Sequence, residues 1–236
     1  MSEHKFDRSI VATFDLDGPK MFYPTYLPPS RTAKELYQGK LELPPRDRFV
    51  FSSLPQEGKS YFMFALASSI FHQVRPVNKE AVFSVRRLAH IAQCGRRNIE
   101  CNVLTAREYD LLDVTRRRLR KEGLMDIFKH VYLNPGFNAA LWKECKIESL
   151  INNNPDLENT SYVHFDDDLR AGLSIARIND DFPGEWKVTS YVFRNLSNCD
   201  YLLDRGNPPE RRNLILVDSF NEAIHDIYQK IQEEKI

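Results

Sequence analysis

The chain has 236 residues, with 33 basic and 33 acidic side chains, and 42% of it is hydrophobic. That composition is globular and excludes wholesale disorder. A formal charge of zero excludes a uniformly basic nucleic-acid binder, though not a local basic face. The length fits one domain with an insertion as well as two small ones. No apolar run of about 7–15 residues follows the first residues, so no signal peptide is expected. The longest apolar stretch, Tyr61 to Phe71, falls well short of the roughly 20 residues that a bilayer requires. The expectation is a soluble intracellular protein, cytoplasmic or nuclear, with no membrane partner. Cys94, Cys101, Cys145 and Cys199 match no zinc-ligand spacing and read as free thiols in a reducing compartment.

In chain order, Ser9 to Phe14 (SIVATF) is a short apolar, β-branched run ending at an acidic cluster. It reads as a buried strand that delivers carboxylates at its C-terminal end. Prolines 24, 28, 29, 44 and 45 argue against long regular structure in 23–48. Phe49 to Phe51 suggests a short strand, and Ser60 to Val74 a helix apolar on most sides. Residues 23–76 together form the candidate insertion or lid. Phe22, Tyr23, Tyr26 and Tyr37 could stack a base but fit better as anchors of that excursion. Gly58-Lys59-Ser60 lacks the glycine at 53 that a phosphate-binding loop needs, because Ser53 stands there.

Lys79 to Cys94 reads as a helix with Val82, Val85, Leu88, Ala89 and Ala92 on one face and Gly95 as its stop. A buried strand follows at Asn98 to Leu104, then an Arg-rich helix from Tyr109 to Glu122 closed by Gly123. Strands at Phe128 to Leu133 and Ser161 to Phe165 flank an amphipathic helix from Asn138 to Ile151. Further strands are expected at Lys187 to Phe193 and Asn213 to Val217, and a last helix at Phe220 to Gln232. Strands alternating with helices point to the α/β class with a mostly parallel sheet.

In such sheets ligands bind beyond the carboxyl ends of the strands, and four polar features fall at or beside these ends or at helix starts. They are Asp15 and Asp17 in FDLDG, Thr105 in VLTAR, a lysine (Lys143 or Lys146) early in a helix, and Asp166 to Asp168. Asp15 and Asp17 with a later aspartate could hold Mg²⁺, which takes carboxylates, waters and phosphate oxygens. A carboxylate beside Mg²⁺ can attack phosphorus, a second can move the proton, and Thr105 with a lysine can bind phosphoryl oxygens. Plainer roles stand beside these. Asp-Gly is a turn signal, Thr105 and Glu108 have capping-box spacing, and the aspartate run could cap a helix. Between Val82 and Lys121 there are ten Lys/Arg against four Asp/Glu. Such runs are usually solvated helix faces; the sharper reading is a surface for a phosphate-rich polymer.

The ordered set of Asp15 and Asp17, Thr105, a lysine, and Asp166 and Asp167 resembles the haloacid dehalogenase (HAD) phosphatase superfamily over Ser9 to Leu169. The pieces FDLDGPKMFYPT, NVLTARE, KEGL, VYLNP and LWK are similar to the Swiss Army Knife RNA repair-like HAD proteins. The resemblance implies a three-layer α/β/α Rossmann-like core, as one domain over 1–236, with an insertion after the first strand. It implies a Mg²⁺-dependent phosphohydrolase acting on a phosphomonoester, with Asp15 as nucleophile and Asp17 as general acid/base. Thr105, Ala106 and Lys143 (Lys146 as the alternative) would bind phosphate, and Asp15, Asp17, Asp166 and Asp167 would serve the metal. The substrate would be a phosphorylated small molecule or a nucleic-acid end. The chain departs from the pattern at Pro19, where Thr or Val is usual; proline lacks the N–H and fixes φ. That departure supports an alternative: a catalytically weak module of the same fold, binding RNA or a phosphorylated partner through Arg86, Arg87, Arg116, Arg117 and Arg118.

Overall fold

In the computed structural model, the residues described are 8–18, 20–24, 70, 72–94, 97–135, 138–181, 188–195 and 213–233. The apolar runs pair into one sheet of six strands: β1 (Ser9–Phe14), β2 (Asn98–Glu108), β3 (Phe128–Asn134), β4 (Thr160–Asp166), β5 (Val188–Phe193) and β6 (Leu214–Val217). Every pairing is parallel, and the spatial order is β3-β2-β1-β4-β5-β6. The order reverses at β1, which lies between β2 and β4, so the loops after these strands open onto one crevice.

Among the described residues, five helices cover the sheet: α1 (Lys79–Cys94), α2 (Leu112–Lys121), α3 (Ala139–Asn152), α4 (Leu169–Ala176) and α5 (Phe220–Gln232). Side chains alternate along β1. Ile10, Ala12 and Phe14 join one apolar cluster with Val85 and Leu88 of α1, Leu119 of α2 and Ile224 of α5. Val11 packs into a second cluster with Trp142 and Ile147 of α3 and Ile175 of α4. Apolar clusters on opposite faces of the sheet make the three layers that the resemblance implies. Buried Glu144 of α3 clasps α4 and the turn after it through Ser174 and Arg177.

An aromatic floor lies directly under the strand ends. The Phe14 and Phe165 rings stack at 4.5 Å, Phe165 meets Tyr191 at 5.3 Å, and Phe22 packs edge-on to Phe14, Phe128 and Phe220. Phe22 and Tyr23 are fully buried, so they anchor the chain leaving β1 rather than offering faces to a base. Tyr26 and Tyr37 lie outside the described residues. So do the strand expected at Phe49 to Phe51, most of the helix expected at Ser60 to Val74, Gly58-Lys59-Ser60, Pro19, Gly95 and nearly all of 23–76.

Three local results differ from expectation. The backbone of β2 continues as strand through Glu108, with a register shift between Thr105 and Glu108, and the α-helix begins only at Leu112. Thr105 is therefore a strand residue and not a helix cap. The helix expected from Tyr109 opens instead as a 3₁₀ turn, Tyr109–Leu111. Helix α4 carries no sequence signal: seven of its eight residues are buried, so it lacks the polar face that makes a 3.6-residue period visible. Gly123 behaves as read, closing α2 at φ 65°. Cys101 and Cys145 are free thiols; the Cys94 side chain and Cys199 lie outside the description. Among the described residues, no helix is long and apolar enough to cross a membrane.

Gly172 sits in α4 where the helix presses on the sheet: an added Cβ would lie 2.2 Å from Val192 Cγ2 and 3.2 Å from both Leu214 Cδ1 and Ser190 Oγ. Helix propensity favours alanine there by about 1 kcal/mol, but overpacking costs about 1–3 kcal/mol. Gly172→Ala is therefore expected to lower the urea unfolding free energy; a more stable variant would show that α4 can move off the sheet freely.

Candidate active site

Period-two alternation places Phe14 and Phe165 in the floor and turns the next residues, Asp15 and Asp166, to the end of the sheet. The β1–β4 pairing extends one step further, since the Asp15 N–H donates to Phe165 O at 2.9 Å. The two carboxylates thus come from neighbouring parallel strands in fixed register. Asp167 follows Asp166 and folds over Gly18, where φ is 145° and an added Cβ would lie 2.1 Å from Asp167 Cγ. Only glycine allows that approach. Asp15, Asp166 and Asp167 each offer an oxygen within a set spanning no more than 4.8 Å. Asp168, the third of the run, does the plainer job: its Oδ1 accepts the Arg170 N–H at 2.9 Å as the N-cap of α4.

Lys143 projects from the first turn and a half of α3 into this cluster. Its Nζ donates to Asp166 Oδ2 at 2.6 Å and lies 3.0 Å from Asp15 Oδ2, and its side chain is 2% exposed. Lys146 goes elsewhere, with its ammonium 4.2 Å from the centre of the Tyr132 ring. The structure thus separates the two lysines that sequence spacing left open. Burial works against the Lys143 charge, but Asp15 and Asp166 outweigh it and hold the group above the ordinary lysine range.

The carboxylates respond oppositely. Burial, aided by Asp166 and Asp17, pushes Asp15 up to about 6 despite Lys143. Burial and the charges of Asp166 and Asp15 push Asp167 well above its usual range. Burial also disfavours charge on Asp166, but Lys143 and His164 overcome it and keep it ionised. This donor set fits a hard divalent cation, because hard oxygen ligands are present and their crowding is relieved by an ion of opposite charge.

His164, next to the aspartate run, reads from the sequence as a packed strand residue and not a catalyst; the structure shows that it also supports Asp166 from beneath. His164, fully buried in β4, has Nε2 2.9 Å from Asp166 Oδ2 and Nδ1 2.8 Å from Thr13 Oγ1. Burial keeps the imidazole below its usual pKa and so neutral. The tautomer that suits both neighbours carries the proton on Nε2, donates to Asp166, and accepts the Thr13 hydroxyl. The Asp168 N–H meets Asp166 Oδ1 at 2.9 Å. With two donors on Oδ2 and one on Oδ1, Asp166 keeps one lone pair open.

Asp17 does not join the carboxylate cluster expected for it. Arg107 Nε and Nη2 donate to its Oδ2 and Oδ1 at 2.6 and 2.9 Å, and Arg75 Nη1 donates to Oδ1 at 2.5 Å. Burial opposes its charge, but the two arginines outweigh it and hold Asp17 as a carboxylate. In this structure it is the guanidiniums, and not a shared cation site, that engage its oxygens. Thr105 is fully buried, and its Oγ1 takes the Arg107 N–H at 3.4 Å, while Ala106 is exposed. Arg107 stands two residues beyond Thr105 in VLTAR, past the end of the strand that the sequence suggests and within a register shift of β2, so the pattern did not mark it. Arg75 lies beside the undescribed segment and had no sequence signal either.

The surface arginines also sort themselves. Arg86, Arg87, Arg116 and Arg117 are exposed. Arg118 is not: it is 8% exposed, and its guanidinium donates to the carbonyls of Gln73 and Arg75 at 2.5 Å each. It is an internal brace, which corrects its inclusion in an RNA-binding face.

Comparison with solved structures gives the same fold. A chain described as a haloacid dehalogenase-like hydrolase of Burkholderia xenovorans superposes with a TM-score of 0.51 at 14% identity, over 92% of this chain and 96% of that one. Also similar are a HAD-hydrolase of Bacillus subtilis (TM-score 0.49, 12% identity, 93% and 98% coverage) and a β-phosphoglucomutase of a Pyrococcus species (0.47, 15%, 95% and 99%). The first of these establishes a HAD-like α/β fold for the chain. No family model and no curated protein sequence matches it.

The raised Asp15 carboxyl makes stability depend on pH. Its folded value of about 6 exceeds the ordinary 3.8, so the folded state holds the proton more tightly. That contribution is fully present below about pH 4 and is lost as pH rises through about 6. Metal-free Asp15→Asn is therefore expected to be more stable than wild type at pH 7, by on the order of 1–3 kcal/mol, with the gap closing below pH 4. Denaturant titrations at the two pH values check this; a variant less stable at pH 7 would contradict it.

Proposed function

We propose that the chain is a Mg²⁺-dependent phosphohydrolase that cleaves phosphomonoesters through an aspartyl-phosphate on Asp15. The observation that carries this reading is one buried lysine set between two carboxylates from adjacent strands, with a third carboxylate beside them. Asp15, Asp166 and Asp167 would hold the metal, which when bound neutralises phosphate charge and relieves repulsion between the carboxylates.

In this reading the Lys143 ammonium holds Asp15 in place and offers its remaining donor capacity to a phosphoryl oxygen, and Thr105 offers a hydroxyl from within β2, three residues before its end. One Asp15 oxygen accepts the Leu16 N–H at 2.8 Å, leaving Oδ2 as the nucleophile. Attack forms the Asp15–phosphorus bond and breaks the bond to the leaving alkoxide, which takes a proton; water then releases phosphate. Asp17 is proposed to move these protons. As a carboxylate it is suited to accepting one from water, whereas donating one requires its guanidinium contacts to be exchanged first. The finer resemblance to RNA repair-like HAD proteins rests on the sequence pieces alone and suggests nucleic-acid ends as one substrate class.

Phosphate release from phenyl phosphate should require Mg²⁺ and fall at least about 10³-fold in Asp15→Asn; wild-type activity in that variant would overturn the assignment. His164 is a positioning residue for Asp166. His164→Phe should lower kcat about 10–100-fold, the usual scale for a residue that orients a metal ligand, with KM little changed. His164→Gln, which restores an N–H donor, should recover most of that loss. Equal kcat for a folded His164→Phe would count against the role.

A second reading follows from the exposed Arg86 and Arg87 on α1 and Arg116 and Arg117 on α2, which Arg86 links by donating to Glu122 O at 2.9 Å. It is a face for RNA or a phosphorylated partner. RNA binding that weakens with salt and survives Asp15→Ala would support it.

A further inference from the structure

Two arginines from distant parts of the chain meet two residues beyond the proposed nucleophile. Arg107 comes from the end of β2 and Arg75 from the segment just before α1. Their side chains are 2% and 4% exposed, whereas the Asp17 carboxylate between them is 24% exposed. His72, one turn before Arg75, has Nδ1 3.9 Å from Asp17 Oδ1.

The guanidiniums are held independently of Asp17. Arg107 Nη1 donates to Thr115 Oγ1 at 3.0 Å, and its planar group lies 4.9 Å from the centre of the Tyr23 ring. Arg75 donates to the Tyr23 carbonyl, and Arg118 fixes the Arg75 backbone from α2. The walls are thus braced while the anion between them is the most solvent-facing member. Three N–H groups from the two guanidiniums converge on the two oxygens of Asp17, two of them on Oδ1. A tetrahedral anion offers three oxygens and up to two charges to the same donors.

We infer that Arg75 and Arg107 form the binding site for a second phosphate of the substrate, which takes the place Asp17 occupies in this structure. Residues two apart along the chain lie no more than roughly 7 Å apart. The substrate is therefore a phosphomonoester carrying another phosphate on a short spacer. This deepens the phosphohydrolase reading and rests on it for which phosphate is cleaved. A compact bisphosphate and the 5′ end of a nucleic-acid strand share that chemistry.

The test is calorimetric binding to Asp15→Asn, which blocks turnover, at fixed ionic strength. The probes are phenyl phosphate, benzene-1,3-bisphosphate and the 5′-phosphorylated dinucleotide of thymidine. At least one doubly phosphorylated probe should bind about tenfold tighter than phenyl phosphate. Adding Arg75→Ala should bring that ratio to within about twofold of unity, and Arg75→Lys should keep part of it. A gain confined to the bisphosphate assigns a small-molecule substrate, and a gain with the dinucleotide assigns a strand end. No gain with either probe, or a gain that survives in folded Arg75→Ala, overturns the inference. If Arg75→Ala does not fold, Arg75→Gln is read in the same way. Wild-type turnover of phenyl phosphate is measured separately, so failure of the phosphohydrolase reading leaves the affinity ratio interpretable.

Discussion

A buried ammonium between two buried carboxylates is the constraint on which the rest of the site depends. Lys143 could not stay charged at 2% exposure without Asp15 and Asp166, because removing an ion from water costs several kcal/mol unless it is paired. The carboxylates could not stand so close without the lysine. Each partner is held by a different part of the fold: Asp15 by the β1–β4 register, Asp166 by His164 and the Asp168 N–H, and Lys143 by a helix that Asn138 caps through the Leu141 N–H at 3.2 Å. The aromatic floor beneath them fixes the register, since Phe14 and Phe165 pair across the strands and also stack.

Beside this acidic half lies a basic one. Arg75 and Arg107 close on Asp17, and Arg118 braces the strip of chain that carries Arg75. Zero net charge therefore conceals a separation of sign within one crevice. One half gathers carboxylates around a lysine and suits a hard cation. The other gathers guanidiniums around a carboxylate and suits an oxyanion. A phosphate ester with its counterion needs both kinds of surface.

The class, the parallel sheet and most of the elements were legible because strands buried on both faces read as continuous apolar runs and the outer helices carry clear amphipathic faces. Helix α4 was not, because it is enclosed nearly all round and contains Gly172. Residues Asp15, Lys143, Asp166 and Asp167 could be named from order and type, but their grouping could not. Spacing along a chain does not say that Asp17 turns to arginines while Asp15 turns to a lysine. His164 read as a packed strand residue, which it is; its hydrogen bond to Asp166 becomes visible only once β1 brings Thr13 alongside. Arg118 looked like surface charge because it stands in a run of three arginines, yet its own helical position faces inward.

Calorimetric titration of Mg²⁺ into the metal-free protein tests the central claim most directly. The account expects one ion per chain for the wild type and loss of that binding in Asp15→Asn and Asp167→Asn, with Asp17→Asn still binding. Equal Mg²⁺ affinity in wild type and Asp167→Asn, or no binding in the folded wild type, would contradict it.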